Sequence, residues 1–151
     1  MNRQFKNCYI NYENKILKIG NEEIERAISL ENNIPRSLYL LNKTTGYSWG
    51  KESDFGILLW NIPGFNYEET NFNINIYEDN NHGLSEKHLV AELLFQGEPY
   101  QVKVKFRIFS GLPFIYNRMY VKGKRGEKDS VDKTDSSLNI QNQSQYSGIE
   151  N

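Results

Sequence analysis

The chain has 151 residues, the length of one domain, which excludes a (β/α)₈ catalytic barrel of about 250 residues. Its 18 Lys and Arg against 19 Asp and Glu give a formal net charge of -1. Nucleic-acid-binding domains are normally basic, so the composition disfavours nucleic acid as a partner. No stretch approaches the roughly 20 apolar residues of a membrane span, and we expect no membrane partner.

The single cysteine, Cys8, cannot form an internal disulfide or, with two histidines, a structural zinc site of about four ligands. We expect no cofactor, because the sequence has no phosphate loop, nucleophile elbow, zinc signature or calcium loop. The N-terminus lacks the apolar core of a signal peptide. The sequence as given therefore predicts a cytoplasmic protein, or a periplasmic or secreted one if a leader has been removed.

The first part of the chain predicts two hairpins. Short alternating segments rich in Ile, Val, Tyr and Phe recur between turn clusters, which is typical of β structure. Residues 8–12 and 15–19 flank Glu13-Asn14 and predict the first hairpin. Residues 23–30 and 37–41 predict the second, because their connection holds an Asn pair and a Pro that favour a tight turn.

The middle of the chain predicts two strands of different kinds. The run Ile57-Leu58-Leu59-Trp60 is apolar throughout and predicts a strand buried on both faces. Residues 71–77 alternate between apolar residues and Asn, so they predict a strand with one buried face. Phe72, Ile74 and Ile76 form its apolar face.

The last structured part predicts three further strands. Residues 88–95 have a composition that suits helix or strand, but Gln96-Gly97-Glu98-Pro99 ends the segment early, and we predict a strand. Residues 102–108 alternate between apolar and basic side chains. The turn at Ser110-Gly111-Leu112-Pro113 then leads into residues 114–122, which predicts the clearest hairpin of the chain.

These segments together predict an all-β fold, an antiparallel β-sandwich of about eight to ten strands over residues 1–123. From Lys124 onward Lys, Asp, Ser, Gln and Asn dominate the composition. Such a segment buries too little apolar area to offset its conformational entropy, so residues 124–151 are predicted to be a disordered tail or linker.

Three segments resemble the N-terminal β-sandwich domain of α-galactosidase-type glycoside hydrolases, family 36 and its relatives, whose fold is related to galactose mutarotase. Residues 19–26 (IGNEEIER), 40–49 (LLNKTTGYSW) and 106–115 (FRIFSGLPFI) are similar to three elements of that family in the same order. The resemblance spans residues 7–124. It implies a super-sandwich-like fold, and the chain resembles the leading part of a domain about twice as long.

The resemblance implies a non-catalytic accessory or carbohydrate-binding domain that supports a catalytic barrel absent from this chain. Its partners would be carbohydrate and the barrel of the parent enzyme, or a second copy of itself. Sugar-binding surfaces use exposed aromatic rings, and the candidates near Gly or Pro are Trp49, Trp60, Phe65 and Tyr67. Trp60 is expected in the core, whereas core and surface are equally expected for Trp49 and Tyr67.

Two other functions stay open. A stand-alone mutarotase-like sugar epimerase needs an acid and a base, but His82 and His88, the two histidines, are interpreted as solvated loop residues. Glu52 and Asp54 are interpreted as solvated turn residues, since neighbouring loop acids do not define a glycosidase cleft. We therefore predict no catalytic residue. The other alternative is an interaction module, unrelated to sugar, that pairs through a β-edge.

The length of the sandwich also suggests self-association. A domain about half as long as its family counterpart leaves sheet edges and one apolar face without their usual cover. We therefore expect the isolated chain to dimerise or aggregate through an edge strand.

Overall fold

The computed structural model describes residues 1–50, 56–80 and 86–123. Their strands form two antiparallel sheets whose inner faces share one hydrophobic core, which confirms the predicted all-β sandwich. No helix in these ranges has both the length and the apolar character needed to cross a membrane. The prediction for residues 124–151 lies outside the described residues.

Sheet A is built from the first part of the chain, and its strands follow the chain order. The predicted hairpins are both present, and the tight turn of the first falls on Asn14 and Lys15, which have φ values of 51° and 63°. Such positive φ values at both central residues match the twist of a two-residue hairpin. The strands are β1 (Asn2–Phe5), β2 (Cys8–Glu13), β3 (Ile16–Gly20), β4 (Ile24–Ser29), β5 (Arg36–Asn42), and the short β6 (Ser48–Trp49) and β7 (Ile57–Leu58), which both pair with β5.

Sheet B consists of four strands of nine residues each, in the order β11-β10-β9-β8. They are β8 (Asn71–Asp79), β9 (His88–Gln96), β10 (Tyr100–Ile108) and β11 (Ile115–Gly123). The predictions of a strand at residues 88–95 and of the hairpin that follows it are confirmed. Strict alternation in β10 turns its valines, Phe106 and Ile108 inward and its lysines and Arg107 outward.

The core lies between the two sheets and is densest around two phenylalanines. Phe95 and Phe106 are the largest of the fully buried side chains. Strands β1 and β2 pack over β8 and β9 at one side of the sandwich. At the other side, β6 and β7 leave large apolar side chains exposed, namely Tyr47, Trp49, Ile57 and Leu58.

The prediction that residues 57–60 form a strand buried on both faces is wrong. Ile57 is 60% exposed and Leu58 is 40% exposed. Within the described chain, β7 is a two-residue strand that pairs only with β5, at the edge of sheet A. Leu59 and Trp60 turn away and pack against the core, and the φ of 52° at Trp60 ends the extended stretch.

Gly111, in the turn between β10 and β11, has a φ of 74°. A Cβ atom at this position would meet no other atom within 4 Å, so a side chain would cost backbone strain and little else. We expect Gly111→Val to lower the free energy of unfolding by more than about 1 kcal/mol. Gly123→Val is the matched control, because Gly123 has equally open space without a positive φ. Urea denaturation that gives equal losses for the two variants would contradict this assignment.

Candidate functional site

Asn21, in the turn between β3 and β4, connects the two sheets. Its buried Nδ2 donates hydrogen bonds of 2.8 Å to the main-chain oxygens of Phe109 and Leu112, beside the β10–β11 turn. Its Oδ1 accepts from the main-chain N–H groups of Glu23 and Ile24, at 2.8 and 3.1 Å. An amide side chain has two donor hydrogens and two acceptor lone pairs, so every hydrogen-bonding position of Asn21 is used.

Lys43 brings the β5–β6 connection to the same end of the sandwich. Its Nζ donates to the main-chain oxygen of Asn21 and to the hydroxyl of Tyr9, both at 2.8 Å. The main-chain N–H of Lys43 donates to the oxygen of Glu23, and the hydroxyl of Thr44 donates to the Glu23 carboxylate, both at 2.9 Å. The three segments 19–26, 40–49 and 106–115 therefore lie together in space.

Glu25 lies on the outer face of sheet A, between two tyrosines. Its carboxylate accepts hydrogen bonds from the hydroxyls of Tyr9 and Tyr39, the latter at 2.5 Å. Tyr9, Gly20 and Glu25 are opposite one another on three adjacent strands, so the Tyr9 side chain must cross Gly20 to reach Glu25. A Cβ atom at Gly20 would lie 2.5 Å from the Tyr9 hydroxyl. Glycine at this position leaves the space that the hydrogen bond needs.

The charge of Glu25 is compensated locally. Burial disfavours its ionised form, but the hydrogen bonds from Tyr39 and Tyr9 and the charges of Lys43 and Lys18 outweigh burial and lower the pKa of its carboxyl group. Burial, together with the hydrogen bonds to Glu25, raises the pKa of both tyrosines. The cluster is therefore a set of satisfied donors and acceptors, and it offers no free base for catalysis.

Trp49 presents an exposed aromatic ring at the edge of sheet A. Trp49 is 50% exposed and Tyr47 is 59% exposed. The two rings pack edge to face, with centroids 4.6 Å apart and an interplanar angle of 74°. The edge of one ring thus supports the face of the other and leaves apolar ring surface open to solvent, the kind of surface on which the C–H face of a sugar can stack.

Trp60 and Tyr67 are brought together by the structure, but in the core. The Tyr67 hydroxyl donates a 2.6 Å hydrogen bond to the main-chain oxygen of Trp60. Tyr67 is buried and packs edge to face against Phe95 at 5.0 Å, while the half-buried Trp60 packs on Phe106 at 5.8 Å. Of the three predicted carbohydrate-binding residues, Trp49 alone is among the exposed large hydrophobic residues.

The interpretation of His88 as a solvated loop residue is wrong. His88 is the first residue of β9, is fully buried and stacks on Phe109 at 4.5 Å. Its Nδ1 lies 3.1 Å from the main-chain oxygen of Glu86, and its Nε2 lies 4.0 Å from the carboxylate of Asp79. His88 is therefore a core residue whose ring already contacts Phe109, Glu86 and Asp79.

The remaining candidates for chemistry are one histidine, two acidic residues and the cysteine. His82, Glu52 and Asp54 lie outside the described residues. Cys8 is buried, and burial is the main cause that raises the pKa of its thiol to about 11, so it is not a thiolate at neutral pH. In the part of the chain that the structure describes, no group of three or more His, Cys, Asp and Glu could hold a metal ion.

Arg26 is the residue of the site that sequence reasoning missed. On the inner face of sheet A, Ile19, Arg26, Leu40 and Trp49 are opposite one another in a row across β3, β4, β5 and β6. Arg26 is only 4% exposed, and its Nε and Nη1 atoms are buried without a hydrogen-bond partner. Burial lowers its pKa to about 10, so the guanidinium stays charged at neutral pH. A charged residue at an inward position of β4 is the signal that could have found it.

No protein family, curated protein or solved structure matches the chain. We therefore infer function from the geometry of this site together with the resemblance of its three segments.

Glu25→Gln tests the compensated cluster, because it keeps the side-chain size and removes the charge. A carboxyl group whose pKa is lowered by folding stabilises the protein at neutral pH, and this stabilisation is lost as the pH falls through the folded pKa. We expect Glu25→Gln to melt below the wild type at pH 7 and the difference to shrink below about pH 4. Thermal denaturation from pH 3 to 7 measures this.

The control for this experiment is Glu13→Gln, which changes an exposed carboxylate at the end of β2. It should melt with the wild type throughout. A Glu25→Gln deficit of the same size at every pH would mean that packing, and not charge, accounts for its effect.

Proposed function

We propose that this chain is a non-catalytic, carbohydrate-binding β-sandwich domain that acts beside the catalytic barrel of an α-galactosidase-like glycoside hydrolase. The observation that carries the proposal is the exposed Tyr47–Trp49 pair at the edge of sheet A. Its support is the close packing of the three segments that resemble the N-terminal domain of such enzymes, since the second of these segments ends in Trp49.

The aromatic pair is chemically suited to a sugar. A ring face offers apolar surface to the C–H groups of a pyranose without requiring charge. Folding has left both rings largely in water although each would gain free energy from burial, and exposed apolar groups placed side by side are typical of binding surfaces. β6 lies at the end of the strand order of sheet A, so no neighbouring described strand pairs along its far side.

The described side chains favour a binding role over a catalytic one. A mutarotase-like epimerase needs an accessible acid and base. His88 is enclosed in the core, and the Glu25 carboxylate already accepts two tyrosine hydroxyls. The reaction of the parent enzyme would then belong to its barrel, and the sandwich would hold or position the carbohydrate.

A second candidate, a module that pairs through a sheet edge, is favoured by β6 and β7. Among the described strands, these two short strands pair only with β5, at the end of the strand order of sheet A. Ile57, Leu58 and Phe114 add exposed apolar surface. This edge suits a second copy of the chain or the parent barrel.

Trp49→Ala tests carbohydrate binding directly. We expect the wild type to be retarded in gels containing galactomannan, a neutral polysaccharide with α-galactose branches, and Trp49→Ala to lose that retardation because it removes the exposed ring. Tyr120→Ala is the control, since it removes a half-buried aromatic ring from the outer face of sheet B. Isothermal titration calorimetry with galactose gives the affinities.

The same preparations show whether the chain is an enzyme. We expect no hydrolysis of aryl galactosides and no acceleration of galactose mutarotation in polarimetry. Equal retardation of the wild type and Trp49→Ala would reject the aromatic pair as the sugar site. A mutarotation rate that falls in His88→Ala, with the fold intact by circular dichroism, would favour the epimerase.

Light scattering over a concentration series tests the sheet edge. We expect the mean mass to rise from monomer toward dimer with concentration, because Ile57 and Leu58 leave apolar surface exposed at the β7 edge. A monomer at every concentration, with a cooperative melt, would contradict this second role.

A further inference from the structure

Arg26 is the least compensated charge in the sandwich core. A buried ion without a partner costs several kcal/mol, because the protein interior does not replace its hydration. The Cζ atom of Arg26 lies 5.9 Å from the centroid of the Phe106 ring, a cation–π contact that offsets only part of this cost. Nε and Nη1 remain as two buried donors without acceptors.

The position of Arg26 connects it to the exposed aromatic pair. Arg26, Leu40 and Trp49 are opposite one another on β4, β5 and β6, so their side chains lie on the same face of sheet A. Two strand spacings separate the backbones of Arg26 and Trp49 by about 10 Å. Exposure increases along this row, from the buried Arg26 and Leu40 to the half-exposed Trp49. Trp49 is the exposed end of this row, so a ligand would enter from the β6 edge and pass Trp49 and Leu40 to reach the guanidinium.

The chemistry of the missing partner follows from these two groups. A guanidinium presents planar, parallel N–H donors that match the two oxygens of a carboxylate. An aromatic ring beside it suits the C–H face of a pyranose. A uronic acid carries both groups in one small molecule, with its carboxylate attached directly to the sugar ring.

We propose that Arg26 and Trp49 form a binding site for an acidic sugar of the uronate class, whose carboxylate pairs with the guanidinium and whose ring packs on Trp49. This proposal rests on the proposed carbohydrate-binding function and names its ligand class. It accounts for a charge kept inside the core, because the ligand supplies the acceptors that the described residues do not.

Titration calorimetry and thermal denaturation with a galacturonate oligomer and its neutral galactose counterpart test the site. The key variant is Arg26→Met, which keeps an extended side chain and removes the charge. We expect the wild type to bind the acidic oligomer roughly tenfold or more tightly than the neutral one, and Arg26→Met to bind both equally. Without ligand, Arg26→Met should melt at or above the wild type, because an unpaired buried charge is gone.

Arg107→Met is the matched control. Arg107 is a half-buried arginine on the outer face of sheet B, where Lys103 and Lys105 also point. Charge attraction to that basic face would be reduced by Arg107→Met and unaffected by Arg26→Met. We expect the opposite pattern, with the preference for the acidic oligomer kept in Arg107→Met.

Other outcomes would overturn the proposal in distinguishable ways. An acidic preference that persists in Arg26→Met would place the anion elsewhere, and a large fall in the ligand-free melting temperature would show that an acid of the chain already pairs with Arg26. Stabilisation by polyglutamate but not by galacturonate would indicate a protein partner. Trp49-dependent binding of neutral sugar without an acidic preference would reject only this inference, whereas a wild type that binds neither sugar would reject the carbohydrate function itself.

Discussion

The four hydrogen bonds of Asn21 fix how the two sheets meet at the candidate site. Hydrophobic packing between sheets is not directional, so it does not by itself determine which turn of one sheet lies against which turn of the other. The buried amide of Asn21 does, because it holds the β3–β4 turn through Glu23 and Ile24 and the β10–β11 turn through Phe109 and Leu112. The positions of Lys43, Arg26 and Trp49 relative to sheet B depend on this joint.

Neighbouring side chains of the segment GNEEIER have different environments, because successive residues of a strand point to opposite faces of the sheet. Gly20 leaves room for Tyr9 to reach Glu25 on the outer face, while Asn21 turns inward to bridge the sheets. Glu25 points outward to its tyrosines, and Arg26, one residue later, points into the core. This short segment therefore supplies side chains to both the outer and the inner face of sheet A at this end.

Alternation and turn residues were enough to predict most of the fold, but not the neighbours of each strand. The hairpins followed from local pattern, as did the turn at Gly111. Residues 57–60 were mispredicted because an apolar run does not show whether other parts of the chain will cover both of its faces. Among the described strands, β7 pairs only with β5. His88 was mispredicted for a related reason, since Phe109, which covers its ring, is distant in sequence.

Core and surface were equally expected for Trp49 and Tyr67, and of the two only Trp49 is exposed. The sequence did not distinguish a core position from a surface position for Tyr67. In the structure Tyr67 packs in the core against Phe95, which lies 28 positions further along the chain. Arg26 was missed because a polar residue in an alternating strand ordinarily marks the solvent face. In β4 the alternation places Arg26 on the same face as Ile24 and Ile28, and a charged residue on that apolar face was the signal that could have identified it.

Glu25 and Arg26 are adjacent in sequence and opposite in charge, yet folding treats them differently. Glu25 gains two hydroxyl donors and nearby lysines, so its charge stabilises the native state at neutral pH. Arg26 enters a less polar environment, receives a cation–π contact and leaves two donors unused. If burial of polar groups served stability alone, an apolar residue at position 26 would serve better. In the proposed site the uncompensated charge is half of an interaction, and its row of neighbours, which ends at the exposed Trp49, is the side from which the ligand would approach.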